Sequence, residues 1–363
     1  MKPEEILVRI LLLTSSGNAS GGGRQALYLA SGLRDRGHEV SFFSPAGSML
    51  RALAPELDWR DLPEKRGKWR KALEKAMPDK EPCIVHAFHN KAVKTLAWCG
   101  TLWRLLGRPV ACVAHRGVIY PPNNFLPYIA PGIRVFAVNS LACLKTLPLL
   151  WRKAAGRVIY NCVPKAKVTP ARSPDEIRAE LGICREATVV GCVSNNSPTK
   201  GVEVLIRAYA KIAEPGMILC LVGLRSSKWD GLCAELGIAD AVRIVPRTER
   251  VADYLQIFTL FVLPSLSESS PNTLLEAMCM GLPAVCSSAG GVPECISDPG
   301  YLAPPGDVAA LAAAMASALC DRKKLAEAAD RNLAFSELFS VEKKLDAMEA
   351  IYADLLSPYT ENG

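Results

Sequence analysis

The sequence contains no run of eighteen apolar residues, no Cys-x-x-Cys pair, no Gly-x-Gly-x-x-Gly turn and no solenoid-type repeat. The first absence excludes a membrane-spanning helix, which needs roughly 18 or more apolar residues. Ile6 to Leu13 has the look of a short signal core, but Arg9 interrupts it and a glycine loop follows, so it reads as a first β-strand. The thirteen cysteines lack metal or redox spacing, and several lie in apolar runs (Cys112, Cys192, Cys220, Cys286). They read as small reduced core residues of a cytosolic protein, not as a disulfide framework. Without the glycine fingerprint, a nicotinamide-dependent oxidoreductase has no support. Acidic residues are missing altogether between Glu81 and Asp175.

That gap belongs to a wider asymmetry. Residues 1–165 hold 25 Lys and Arg against 11 Asp and Glu, a net +14, and residues 166–363 hold 18 against 25, a net −7. A basic first half implies an anionic partner, and because no nucleic-acid motif accompanies it, membrane headgroups or a lipid diphosphate are the expected ones. Apolar residues make up 50% of the 363, enough for two cores. Short apolar runs alternate with helical periods, as in a doubly wound α/β chain. Strands are expected at 7–14, 38–44, 83–86, 110–114, 135–139 and 158–160, then at 189–193, 218–222, 242–245, 257–263 and 284–286. A polar, proline-bearing stretch from Val163 to Asp175, with Pro164, Pro170 and Pro174, reads as the linker between two domains.

The most informative run extends from Glu268 to Glu294: Glu-Ser-Ser-Pro-Asn-Thr-Leu-Leu-Glu-Ala-Met-Cys-Met-Gly-Leu-Pro, ending in Gly290-Gly-Val-Pro-Glu294. It follows the apolar strand 257–263. Pro271 and Asn272 suit a helix start and Gly281 its end. Glu268 therefore lies on a loop and Glu276 about one turn inside a helix. The N–H groups of Asn272, Thr273 and Leu274 would face whatever Glu268 holds, and a helix N-terminus favours phosphate. Carboxylates beside a phosphate site bind hydroxyls rather than the phosphate itself. The chemistry asked for is a phosphorylated polyol, such as a nucleotide sugar.

This run closely resembles the E-x7-E signature of the retaining glycosyltransferases of family four. The resemblance rests on Glu268 and Glu276, Pro271-Asn272, Glu276-Ala-Met278, Gly281-Leu-Pro283 and Gly290-Gly-Val-Pro-Glu294. It is strong from Val189 to Asp307 and rests on shorter pieces earlier: Gly21-Gly22, Arg36-Gly-His-Glu-Val40 and Ile159-Tyr-Asn-Cys-Val163. It implies a GT-B fold, an α/β architecture of two Rossmann-like doubly wound domains with the active site in the cleft between them. Residues 1–165 would bind the acceptor and 166–340 the donor, and a C-terminal helix within 341–363 would cross back to the first domain. It also implies that Glu268 holds sugar hydroxyls and Glu276 the ribose.

Lys200, in Asn195-Asn-Ser-Pro-Thr-Lys-Gly201, suits a turn where an ammonium neutralises phosphate. The family usually has an arginine five residues earlier, where this chain has Asn195. Arg225 and Arg247, each in a loop after a strand, are the expected substitutes. Gly21-Gly22-Gly23 follows the first strand, and the amides of Gly22 and Gly23 are expected to approach the donor diphosphate or the acceptor. His115 ends a strand, where an open α/β sheet binds ligands, and the resemblance places it beside the transferred sugar. Arg116 is expected to grip an acceptor phosphate. His86 and His89 form a His-x-x-His pair without a third metal ligand, and the chain has no Asp-x-Asp triplet, so the pair is read as lining the acceptor side and no metal site is expected. The Lys65–Lys75 cluster with Trp69 and Leu73, joined by Trp98, Leu102, Trp103 and Leu106, reads as a membrane-surface face.

Together these readings give a metal-independent hexosyl or N-acetylhexosaminyl transferase with no cofactor. Its expected donor is a UDP-sugar. Its expected acceptor is an anionic or lipid-linked glycan of lipopolysaccharide type, met in the cytoplasm at the inner face of the membrane. The alternative is a non-catalytic sugar- or lipid-binding protein that keeps the fold, a reading to which Asn195 gives weight.

Overall fold

The computed structural model describes residues 7–147, 155–298 and 301–360. Ile6, where the signal-like reading begins, lies outside them. The chain forms two compact units. The first runs to Cys162 and includes the helix from Val341; the second is Val163–Ser340.

The first unit is built on a seven-stranded, all-parallel sheet. Its strands are β1 (Arg9–Thr14), β2 (Glu39–Pro45), β3 (Asp58–Leu62), β4 (Cys83–Phe88), β5 (Val110–Arg116), β6 (Val135–Val138) and β7 (Gly156–Val158), in spatial order β3-β2-β1-β4-β5-β6-β7. The inner strands are buried along nearly their whole length because helices cover both faces. One face packs on helices Trp69–Glu74 and Asn90–Leu105 through Leu73, Leu96 and Trp103. The other packs on helices Gly21–Asp35 and Val341–Thr360 through Leu29, Leu33, Leu345, Met348 and Tyr352. Arg36 reinforces that second pair of helices, bonding Asp346 at 2.8 Å and Glu349 at 2.5 Å.

The second unit has a six-stranded parallel sheet. Its strands are β8 (Thr188–Val193), β9 (Met217–Val222), β10 (Val242–Val245), β11 (Leu260–Leu263), β12 (Ala284–Ser287) and β13 (Leu302–Ala303), ordered β10-β9-β8-β11-β12-β13. The stretch expected as a linker is anchored to this unit: Val163 N–H donates to the Phe339 carbonyl at 3.0 Å, and Ala171 N–H to Asp253 Oδ1 at 2.6 Å.

Two strands escape the sequence reading. β3 (Asp-Trp-Arg-Asp-Leu) is an exposed edge with no apolar run, and β13 has two residues. The strand expected at 257–263 is shorter, because Ile257 and Phe258 close the turn after helix Val251–Leu255. All thirteen cysteines are free thiols and ten are buried, as expected of reduced core residues.

Candidate active site

The second unit gathers its polar groups at the carboxyl ends of β8, β11 and β12. Gly201 has φ +63°, and a Cβ there would stand 2.0 Å from the Pro264 carbonyl oxygen. Only glycine lets the turn after β8 lie against the loop after β11. Leu266 N–H donates to the Thr199 carbonyl at 2.8 Å and completes the stitch. The result is an ion pair between Lys200 Nζ and Glu268 Oε2, with side chains 28% and 13% exposed. Glu268 is held further by the Ser265 hydroxyl at 3.4 Å, and its carbonyl accepts from Gly291 N–H at 3.0 Å. Ser287 Oγ donates to the Ser265 carbonyl, so the end of β12 braces the same loop. The Glu268 to Glu294 run is thus one connected site wall.

Helix Asn272–Cys279 starts after Pro271, as the sequence suggests, and places Glu276 half-buried within it. One expectation is corrected here. Leu274 N–H donates to the Pro271 carbonyl at 3.0 Å and its side chain is fully buried, so Leu274 offers an anion nothing. Asn272 and Thr273, at the first two positions of the helix, are the phosphate contacts still expected at this end.

Asn195 accepts from Ser197 N–H through Oδ1 at 2.9 Å and shapes the turn before Lys200. Arg225 and Arg247 are both exposed. The cation that reaches this turn is one the sequence reading missed. Lys228 Nζ donates to the Asn196 carbonyl at 2.8 Å and lies 4.6 Å over the Trp229 ring, whose Nε1 donates to Asn196 Oδ1 at 3.0 Å. Its only sequence signal is a Lys-Trp pair soon after a strand.

In the first unit the glycine segment is helix rather than loop. Helix Gly21–Asp35 begins there, with Ser20 Oγ accepting from Gly23 N–H at 3.3 Å. A Cβ on Gly23 would stand 2.8 Å from the Asn18 carbonyl oxygen, so this glycine serves packing and its expected ligand contact is withdrawn. Gly22 is exposed, and a Cβ there would meet His89 Nε2 at 3.2 Å. His89 has φ +68°, a conformation that side-chain-bearing residues rarely adopt, and its Nδ1 lies 2.7 Å from Thr14 Oγ1. Its ring is thereby fixed over the start of the helix, and burial lowers its pKa, so it is held as neutral imidazole.

His86 and His89 do not act together. His86 is a fully buried core residue stacked on Phe88, with Nδ1 2.7 Å from the Tyr352 hydroxyl of helix Val341–Thr360. The expectation that it lines an acceptor site is corrected, because the helix covers it. Burial, with Lys344 nearby, lowers its pKa to about 3. His115 also stacks on Phe88 at 4.6 Å and is 8% exposed. Burial first, then Lys344 and the neighbouring histidines, hold its pKa well below 6.5, so the ring is neutral imidazole. Its Nδ1 has no hydrogen-bond partner. Lys344 itself is buried and donates to Gln25 Oε1 at 2.7 Å.

Arg116 is also corrected. Its Nη1 donates to the Tyr128 hydroxyl at 2.9 Å, Nη2 to the Tyr120 carbonyl and Nε to Thr146 Oγ1 at 3.3 Å. At 4% exposure, with three of its five N–H donors bonded within the protein, this guanidinium ties loops together and is closed to a phosphate from outside. In the expected membrane face, Trp69, Leu73 and Trp103 are core residues, while Trp98, Leu102 and Leu106 are exposed. Among the described residues no group of three or more His, Cys, Asp or Glu is placed to hold a metal ion.

Comparisons with known proteins bear on the family and the fold. The family described as Glycosyltransferase Family 4 matches residues 19–166, and that described as Glycosyl transferases group 1 matches residues 173–333. The chain is 31% identical over 249 residues to N-acetyl-alpha-D-glucosaminyl L-malate synthase of Bacillus anthracis, covering 64% of this chain and 63% of that protein. It is 31% identical over 172 residues to D-inositol 3-phosphate glycosyltransferase of Streptomyces avermitilis, covering 43% of this chain and 37% of that one. The chain thus spans under two thirds of the length of these relatives. Among solved structures, Anabaena Alr3699/HepE in complex with UDP superposes with a TM-score of 0.82 at 21% identity, covering 96% of this chain and all of that one. Sucrose-phosphate synthase from Thermosynechococcus elongatus does so with a TM-score of 0.74 at 19% identity, covering 96% and 100%. These likenesses show the GT-B fold.

Proposed function

Since the chain belongs to glycosyltransferase family four, we propose that it moves a sugar from a nucleotide diphosphate sugar to an acceptor hydroxyl with retention at the anomeric carbon. The observation that carries this reading is the Lys200–Glu268 pair, set by Gly201 beside the start of helix Asn272–Cys279. An ammonium has three donors, so Lys200 bonded to Glu268 keeps donors for a diphosphate. Glu268 then accepts from the hydroxyls of the transferring sugar and Glu276 from the ribose. As the bond from the anomeric carbon to the diphosphate breaks, negative charge grows on the leaving oxygens. Lys200 and the amides of Asn272 and Thr273 stabilise it. The acceptor hydroxyl attacks from the same face and passes its proton to the departing phosphate, so no protein nucleophile is required. Lys228 supplies the positive charge that Asn195 does not.

A UDP-sugar is the favoured donor. HepE, of the same fold, has been crystallised with UDP and with UDP-glucose. A hexose or N-acetylhexosamine is the favoured sugar, and no divalent metal is needed because the cations above serve its purpose. For the acceptor we favour an anionic or lipid-linked glycan. The net +14 of residues 1–165 supports this. So does the relative named as a lipopolysaccharide core mannosyltransferase in Rhizobium meliloti. Incubating the protein with UDP-, GDP- and ADP-sugars in the presence of a chelator tests the reading. Slow release of nucleotide diphosphate from one of them is expected, and the absence of both release and thermal stabilisation with all three would refute it.

A further inference from the structure

Helix Asn90–Leu105 buries Val93, Leu96, Ala97, Gly100 and Trp103 against the sheet. Its opposite face, at positions 91, 94, 98, 102 and 105, would be polar in a helix that only covers a sheet. Here it carries Trp98, Leu102 and Leu105, which are 56%, 37% and 79% exposed. The short helix Leu126–Ile129 packs on this helix and adds Phe125, Leu126 and Ile129, each about half exposed. The two are tied: Arg104 Nη1 donates to the Pro131 carbonyl at 3.2 Å, and Gly132 N–H donates to Thr101 Oγ1 at 3.1 Å. The charged residues of this segment are all of one sign, and the neighbouring Glu74, which accepts from Trp103 Nε1, is paired with Arg70 and Arg108. Lys91, Lys94 and Arg104 lie on the long helix, and no Asp or Glu occurs from residue 82 to 174.

We infer that this face of the first unit docks reversibly on an anionic phospholipid bilayer, with Trp98, Leu102 and Leu105 in the headgroup layer and Lys91, Lys94 and Arg104 against lipid phosphates. An aromatic and aliphatic stripe flanked by lysine and arginine matches that boundary in both polarity and charge. A second copy of the chain is disfavoured as the occupant, because two basic faces repel. No described helix is long and apolar enough to cross the membrane, so the attachment is to one surface. The surface keeps Trp98 and Leu102 of the face expected from the sequence and leaves out its Lys65–Lys75 part, whose Trp69 and Leu73 are buried. It does not depend on the donor-site reading.

Flotation with vesicles of phosphatidylcholine, with and without phosphatidylglycerol, at low and high salt tests the inference. The wild type should float with the anionic vesicles and lose that binding as salt rises. Trp98→Glu should lower partitioning at least about tenfold, since it removes an apolar anchor and adds a repelled charge. Lys91→Glu with Lys94→Glu should abolish the preference for anionic vesicles. Binding of UDP measured without lipid should be the same in all variants, which keeps this test separate from that of the donor site. Equal flotation on both vesicle types, wild-type flotation of Trp98→Glu, or a lipid-free dimer that Trp98→Glu disrupts would each overturn the inference.

Discussion

Lys200 and Glu268, sixty-eight residues apart in sequence, form an ion pair that joins the loop after β8 to the loop after β11. The carboxylate is largely enclosed and the ammonium partly so, which makes the pair less screened than a surface one. It fixes both groups before any ligand arrives. That preorganisation is what electrostatic catalysis by fixed charges requires.

Gly201 is the hinge of this arrangement. Gly201→Ala should destabilise the protein by about 1–3 kcal/mol, because its φ is positive and the added Cβ would meet the Pro264 carbonyl oxygen at 2.0 Å. Nucleotide affinity should fall with it, since Lys200 moves. Thermal unfolding and calorimetry with UDP check this; unchanged values in both would show that the turn does not set Lys200.

Much of this site was legible in the sequence because its signals are local. Pro271-Asn272 before an apolar helical period, and Gly281 after it, mark the helix that carries Glu276. What stayed hidden depends on distant partners. His86 reads as a strand-end ligand until Tyr352, 266 residues later, is seen capping its ring. Arg116 reads as a phosphate grip until it is seen buried, with three of its donors bonded to the Tyr128 and Thr146 hydroxyls and the Tyr120 carbonyl. Both belong to loops or long-range packing, where no periodicity announces the partner. The edge strand β3 was illegible because its residues are mostly exposed and polar. Lys228 does not stand out from Arg225 and Arg247 in the sequence, which does not show which loop end bends toward Asn196.

The buried histidines give stability an acid limit. The folded pKa of His86 is lowered to about 3 by burial, and that of His115 lies well below 6.5 for the same reason. The unfolded chain therefore binds protons that the folded one does not between about pH 6.5 and 3. Stability is full above 6.5 and declines as pH falls, with a slope of up to about 1.4 kcal/mol per pH unit for each histidine. Urea unfolding at several pH values should show this, and His86→Phe should have a shallower decline. Parallel curves for the variant and the wild type would remove His86 from the account.

Arg116→Ala should lower the melting temperature by several degrees, through loss of three bonds and of stacking on Tyr128 at 5.3 Å. Its KM for an anionic acceptor should change little once folding is restored by lower temperature. A large and selective rise in that KM, with normal stability, would return Arg116 to the acceptor site.

The most direct measurement compares Glu268→Ala and Glu276→Ala by calorimetry with UDP and by sugar turnover in the same preparations. Glu276→Ala should weaken nucleotide binding by roughly 1–3 kcal/mol, the cost of lost hydrogen bonds to ribose hydroxyls. Glu268→Ala should lower turnover far more than it weakens UDP binding, because its hydroxyl partners belong to the transferring sugar and Lys200 keeps its turn through Gly201. Wild-type UDP binding and wild-type turnover in both variants would contradict a nucleotide-sugar site built on these two carboxylates.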